Sequence, residues 1–156
     1  MTRPPRRLEP TDSLDGFGCG HDSLDSWLRH HALRAERERT AATYVVTDGP
    51  TAIAFYSLAA HSVERASIGG GRLARNAPDL VPAILLARLA VDERWQGQLL
   101  GSSLLAHAIT TVRAAGTLIG LRAVVVDPID ASASAFYAGY GFRPFPANPA
   151  RLFYPL

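Results

Sequence analysis

The chain has 156 residues, of which 47% are apolar and 19% charged, with a formal net charge of +2. This composition excludes a disordered or solvating protein, and so small a charge does not by itself argue for nucleic-acid binding. No run of eighteen apolar residues exists, the longest aliphatic stretch being broken by Arg88, so a membrane span is excluded.

One domain over residues 1–156 is expected, with residues 1–14 a flexible or peripheral N-terminus. That segment carries Arg3, Arg6 and Arg7 but no apolar stretch follows, so it does not read as a signal peptide. The single Cys19 has no internal disulfide partner, which fits a reducing, cytoplasmic setting. All 16 basic residues are arginine. A GC-rich genome explains the bulk of that bias, yet arginine is also the better fork for phosphate.

Asp22 to Arg39 reads as one amphipathic helix, with Asp22 as N-cap and Leu24, Trp27, Leu28 and His31 on one face. Two strand-like runs follow, Thr43 to Asp48 and Ala52 to Ala60, joined at Gly49-Pro50 as a hairpin. Ile68 to Pro82 is loop-like. Ile84 to Val91 is a buried strand, Gly101 to Ala114 a helix, and Leu121 to Val126 a second buried strand. Asp130 caps a short helix through Tyr137, Gly139 to Phe142 turns, and Arg151 to Tyr154 is a last strand. Strands separated by crossover helices imply an α/β sheet.

The chemistry is concentrated where the strand ending at Val91 runs through a polar, glycine-containing loop into a helix. Loop and first helical turn leave N–H groups unpaired, and the helix dipole adds positive potential there, which makes an anion cradle. Arg94 adds a full charge nearby. On pattern alone, an ordinary strand–turn–helix connection is an equal reading.

Gln96-Gly97-Gln98-Leu99-Leu100-Gly101 resembles the acyl-CoA pyrophosphate loop of GNAT acetyltransferases, written Q/R-x-x-G-x-G/A. Gln96 and Gly101 match its ends, while Leu99 stands where the family has glycine. Leucine still supplies the backbone N–H, but at positive φ it would cost about 1–2 kcal/mol. The resemblance extends over residues 15–156 to one branch of the family. Members of that branch are toxins that acetylate the amino group of aminoacyl-tRNA and are neutralised by ribbon-helix-helix antitoxins. It is carried by Phe17-Gly18-Cys19-Gly20, Leu24-Asp25-Ser26-Trp27-Leu28, Tyr56-Ser57-Leu58-Ala59-Ala60, and Leu86-Ala87-Arg88-Leu89-Ala90-Val91-Asp92. Near the end it is carried by Ala135-Phe136-Tyr137, Tyr140-Gly141-Phe142, and Leu152-Phe153-Tyr154-Pro155-Leu156.

The resemblance implies a GNAT fold, a mixed central sheet flanked by helices and splayed at the acyl-CoA site. It implies acetyl-CoA as co-substrate and no metal. Leu89, Ala90 and Val91 would meet pantetheine and polarise the thioester carbonyl. Arg94, Gln96, Gly97, Gln98, Leu99, Leu100, Gly101, Ser102 and Phe136 complete the implied cofactor contacts. Between Tyr137 and Tyr140, the family pattern assigns the general acid to Tyr137. An α-amino group has a pKa near 7.7–8.0, so positioning can supply much of the rate without a dedicated base. Neither Glu64 nor Asp92 is nominated for that role. The implied partners are aminoacyl-tRNA, an antitoxin, operator DNA through the antitoxin only, and a second copy in a homodimer. Arg72, Arg75, Arg88 and Arg94 are candidates for phosphate contact. Arg34, Arg37 and Arg39 form a second basic cluster, with Glu36 and Glu38 interleaved.

Two other readings compete. One is an acetyltransferase for a small amine or a protein amine, since acceptor choice lives in loops. The other is a catalytically weak relative retained to bind the antitoxin. The five histidines lack zinc-site spacing, and Gly69-Gly70-Gly71 lacks the residues of a P-loop.

Overall fold

The computed structural model describes residues 3–71 and 73–156. Arg72, one of the phosphate candidates, lies outside the described residues. The elements run β1 (Arg6–Arg7), α1 (Asp22–His30), α2 (Ala32–Glu38), β2 (Ala42–Asp48), β3 (Thr51–Glu64), β4 (Leu80–Val91), α3 (Leu100–Ala115), β5 (Ala123–Val126), α4 (Ala131–Gly139), β6 (Arg143–Phe145) and β7 (Asn148–Pro155). The strands follow the order β1-β2-β3-β4-β5-β7-β6. β4 and β5 pair in parallel, while β1–β2, β2–β3, β5–β7 and β6–β7 are antiparallel. The sheet is therefore mixed, as a crossover helix between β4 and β5 requires.

The chain divides into two compact units, Met1–Ala59 with Ala87–Thr110, and Ala60–Leu86 with Thr111–Leu156. In the first unit, Phe17, Leu28, Ala32, Val45 and Phe55 are buried together, with Leu24 and Trp27 packed against them. Adjacent residues of β3 serve opposite faces. Phe55 stacks on Trp27 of α1, whereas the Tyr56 hydroxyl lies 2.7 Å from Nδ1 of His107 on α3. In the second unit the core is Val63, Ile68, Val81, Ala83, Ala123, Val125, Phe145 and Phe153.

Several boundaries differ from the sequence reading. The helix expected from Asp22 to Arg39 is two helices, interrupted at His31. The His31 N–H closes α1 on the Trp27 carbonyl at 2.9 Å, and its own carbonyl starts α2. On either side of the break Leu28 and Ala32 are buried, and the Glu36 carboxylate accepts from Thr43 N–H at 2.6 Å. Asp22 is not the N-cap; His21 occupies that position without a side-chain cap. β4 begins at Leu80, four residues early, and includes Pro82, whose carbonyl accepts from Arg122 N–H at 2.9 Å. The short β6 was not foreseen, because three residues carry no readable alternation. Arg6–Arg7 form an edge strand on β2, and Leu8 and Leu14 are buried beside it.

Candidate functional site

Asp92, the first residue after β4, organises the loop that follows. Its carboxylate accepts from Arg94 N–H, Arg94 Nε and Arg94 Nη2 at 2.9, 2.9 and 3.0 Å, and from Gly18 N–H at 3.1 Å. Asp92 is buried, and the Arg94 guanidinium holds its pKa down at about 2. Its own N–H donates to Ile53 at 2.8 Å, and Glu93 N–H donates to Gly18 at 2.8 Å. Loop and strand are thus tied to the chain segment before α1.

The Gln96 side chain turns back on the protein. Its Nε2 donates to Val91 O at 2.8 Å and to Cys19 O at 3.0 Å. The residue at the first position of the loop motif is therefore a clamp on the loop, and its side-chain amide is occupied. Gly97 follows at φ +79° and Leu99 at φ +62°, both left-handed. Leu99 thus adopts the backbone that a glycine would take without strain. Its side chain is 79% exposed, so no core contact explains the conformation.

α3 starts at Leu100, and Ser103 N–H donates to the Leu99 carbonyl at 3.1 Å. Among the described residues, the N–H groups of Gly97, Gln98, Leu99, Leu100 and Gly101 have no backbone acceptor. Five consecutive donors at the positive end of a sixteen-residue helix make a cradle whose electrostatics suit an anion. Arg94 lies beside this run but commits Nε and Nη2 to Asp92.

The β4–β5 ladder pairs Ala83 with Ala123, Ile84 with Val124 and Leu85 with Val125, and extends no further. β4 continues for six more residues, to Val91. The stretch Leu86 to Val91 therefore has no ladder partner on its β5 side, which leaves main-chain groups for an extended ligand. The Leu89, Ala90 and Val91 of the sequence reading all lie in this stretch.

Tyr137 lies on α4 and is buried, its ring 5.3 Å from those of Phe136 and Phe142. Burial raises its phenol well above the usual tyrosine value, so the hydroxyl stays protonated. The Asp130 side chain caps α4 by accepting from Ala133 N–H at 2.8 Å, as the sequence predicts. Tyr140 follows the helix, is half exposed, and packs its ring 5.2 Å from Phe136.

Two residues outside the predicted site are structurally prominent. Asp92 forms the fork with Arg94, and its Asp-x-Arg spacing is the sequence signal for it. Trp27 carries the Arg88 guanidinium on its ring face, 3.8 Å from the centroid. Cys19 is buried, which pushes its thiol up to about 12 and leaves it inert. Among the described residues, no group of three or more His, Cys, Asp or Glu is placed to hold a metal. None of the described helices is long and apolar enough to cross a membrane.

Residues 42–144 match the acetyltransferase (GNAT) domain model. A tRNA-acetylating toxin of Mycobacterium tuberculosis is 41% identical over 148 residues, covering 95% of this chain and 89% of the relative. AtaT complexed with acetyl-methionyl-tRNAfMet superposes with a TM-score of 0.91 at 28% identity, covering 99% of this chain and 95% of that one. A tyrosine-to-phenylalanine mutant of AtaT, bound to the C-terminus of the antitoxin AtaR and acetyl-CoA, superposes with a TM-score of 0.85 at 28% identity, covering 99% and 93%.

Proposed function

The chain belongs to the GNAT acetyltransferase family, and from that premise we propose that it is the toxin of a type II toxin–antitoxin pair. It moves acetyl from acetyl-CoA to the α-amino group of aminoacyl-tRNA, and the acylated product no longer serves in elongation. The run of free N–H groups from Gly97 to Gly101 is the structural observation that carries the cofactor half of this reading. The acceptor half is supported by the near full-length similarity to a tRNA-acetylating toxin.

Acetyl-CoA supplies an activated acyl group on a thioester. The Gly97–Gly101 amides and the α3 dipole hold its diphosphate. The unpartnered edge of β4 at Leu89 to Val91 lies along pantetheine, and an N–H there polarises the thioester carbonyl. The neutral α-amine forms the new C–N bond as the C–S bond breaks. Tyr137 gives its phenolic proton to the departing sulfur, and the ammonium proton of the adduct returns to solvent or to the phenolate. Phe136 sits beside Tyr137 as a cofactor contact.

The antitoxin is of the ribbon-helix-helix class. It covers the active site and connects the toxin to operator DNA, and the toxin is a homodimer acting in the cytoplasm, where its substrate is. Left-handed Leu99 favours the active enzyme over a weakened binding module, since the loop keeps the backbone its motif demands. The test is expression without antitoxin followed by mass analysis of aminoacyl-tRNA. Acetylated aminoacyl-tRNA and growth arrest are expected. Acetylation confined to small or protein amines would overturn the acceptor assignment.

A further inference from the structure

We propose that Asp25 is a positioning residue for the cofactor loop, acting on it through the Gly18–Cys19 peptide. The inference rests on the Gly97–Gly101 amides being the diphosphate cradle of acetyl-CoA. Asp25 stands in the first turn of α1 and is buried. Its Oδ1 accepts from Cys19 N–H at 2.9 Å. The carbonyl of that same peptide, Gly18 O, accepts from Glu93 N–H at 2.8 Å. One peptide plane thus has a carboxylate on its N–H side and the turn after β4 on its carbonyl side.

The neighbouring groups of the same segment make the tie a stiff one. Gly18 N–H donates to Asp92 at 3.1 Å, and Cys19 O accepts from Gln96 Nε2 at 3.0 Å. Gly18 and Cys19 therefore meet both ends of the Asp92–Gln96 turn, and Asp25 secures them from the other side. Gly20 continues at φ +99°, a conformation that favours glycine, and leads the chain into α1. A carboxylate on the N–H of a peptide polarises it, which makes its carbonyl a better acceptor for Glu93. Without Asp25, the N–H of buried Cys19 loses its acceptor.

The free N–H groups of the loop begin at Gly97, immediately after Gln96. Their directions are set by the turn from which they leave. Ordering a loop at the moment of binding subtracts from affinity, so a tie that orders it beforehand raises affinity. Linkage makes the effect reciprocal: a ligand that steadies the loop also steadies Cys19. The Phe17-Gly18-Cys19-Gly20 and Leu24-Asp25 runs thereby serve the cofactor site from a separate stretch of chain.

The test has one arm on the unmodified full chain and one on variants. In wild type, saturating acetyl-CoA should slow amide hydrogen exchange at Gly97–Gly101 and also at Cys19. Protection of the loop with none at Cys19 would overturn the inference and leave the cradle intact. No protection of the loop would bring down the cradle reading, and this inference with it. Asp25→Ala should raise the acetyl-CoA Kd in calorimetry, and the KM for acetyl-CoA, by about fivefold to tenfold. Its kcat at saturating acetyl-CoA should stay within about twofold of wild type. Asp25→Asn keeps an oxygen for Cys19 N–H and should recover most of the loss. Arg29→Met is the structural control. It removes the 2.7 Å bond from Arg29 Nη1 to Phe17 O, which does not involve the Gly18–Cys19 peptide, and should lower Tm without moving Kd. An Asp25→Ala variant with lowered Tm and unchanged Kd, or an equal rise in Kd for Arg29→Met, would reduce Asp25 to a structural residue and overturn the proposal.

Discussion

The Asp92 carboxylate and the Arg94 guanidinium, two residues apart, form a two-pronged contact at 2.9 and 3.0 Å that shapes the turn between β4 and the loop before α3. The same carboxylate reaches the Gly18 N–H, so one buried acid joins two distant segments.

Replacing Asp92 with alanine leaves the Gly18 and Arg94 N–H groups without their acceptor. A destabilisation of about 2–3 kcal/mol is expected, measured by denaturant unfolding. The exposed Arg94 side chain adds little of this, being screened by water. The native pKa of Asp92, about 2, lies below the unfolded value of about 3.9. Its stabilisation is complete above the unfolded value and is lost as pH falls through the folded one. Wild type should lose stability between about pH 4 and pH 2 more steeply than Asp92→Asn, and identical acid limbs would contradict this role.

Leu99→Gly should stabilise the chain by about 0.5–1 kcal/mol. The left-handed penalty of leucine, about 1–2 kcal/mol, exceeds the chain entropy of an added glycine. Calorimetry should find acetyl-CoA bound equally or more tightly. Weaker binding would show that the exposed leucine side chain itself meets the cofactor.

Tyr137→Phe keeps the buried ring and removes only the hydroxyl, so the melting temperature should change little. Single-turnover acetyl transfer should slow by about 10²–10⁴ if the phenol is the acid. Burial raises the phenol above its ordinary value near 10. The acid thus stays loaded, and the wild-type rate should not decline from phenol ionisation at or below that pH. An unchanged rate in Tyr137→Phe removes the assignment.

Gln96 offers a comparison of two variants. Its amide NH₂ bridges the Val91 and Cys19 carbonyls, and alanine simply frees them. Glutamate instead points an ionised carboxylate at two carbonyl oxygens, with no donor to offer. Acetyl-CoA affinity should therefore fall further for Gln96→Glu than for Gln96→Ala. The reverse order would mean that the side chain contacts the ligand directly.

Much of this molecule was readable from local pattern. The hairpin at Gly49-Pro50, the strand leading to Val91, the helix after the loop and the Asp130 cap each rest on residues within a few positions of one another. Periodicity, turn chemistry and capping act over that range. The left-handed turn after Gln96 falls inside a short motif of the same kind. Tertiary structure alone decided which loop side chains face inward. Gln96 meets Cys19 across 77 residues and Asp92 meets Gly18 across 74, partners that no local spacing encodes. The break at His31 likewise carries no Pro or Gly to announce it, and only the structure shows α1 closing on the Trp27 carbonyl there. The sign of φ at Leu99 belongs to the same class. Leucine disfavours that conformation intrinsically, and the bonds that anchor the Asp92–Gln96 turn to the protein, together with the start of α3, bracket it from either side.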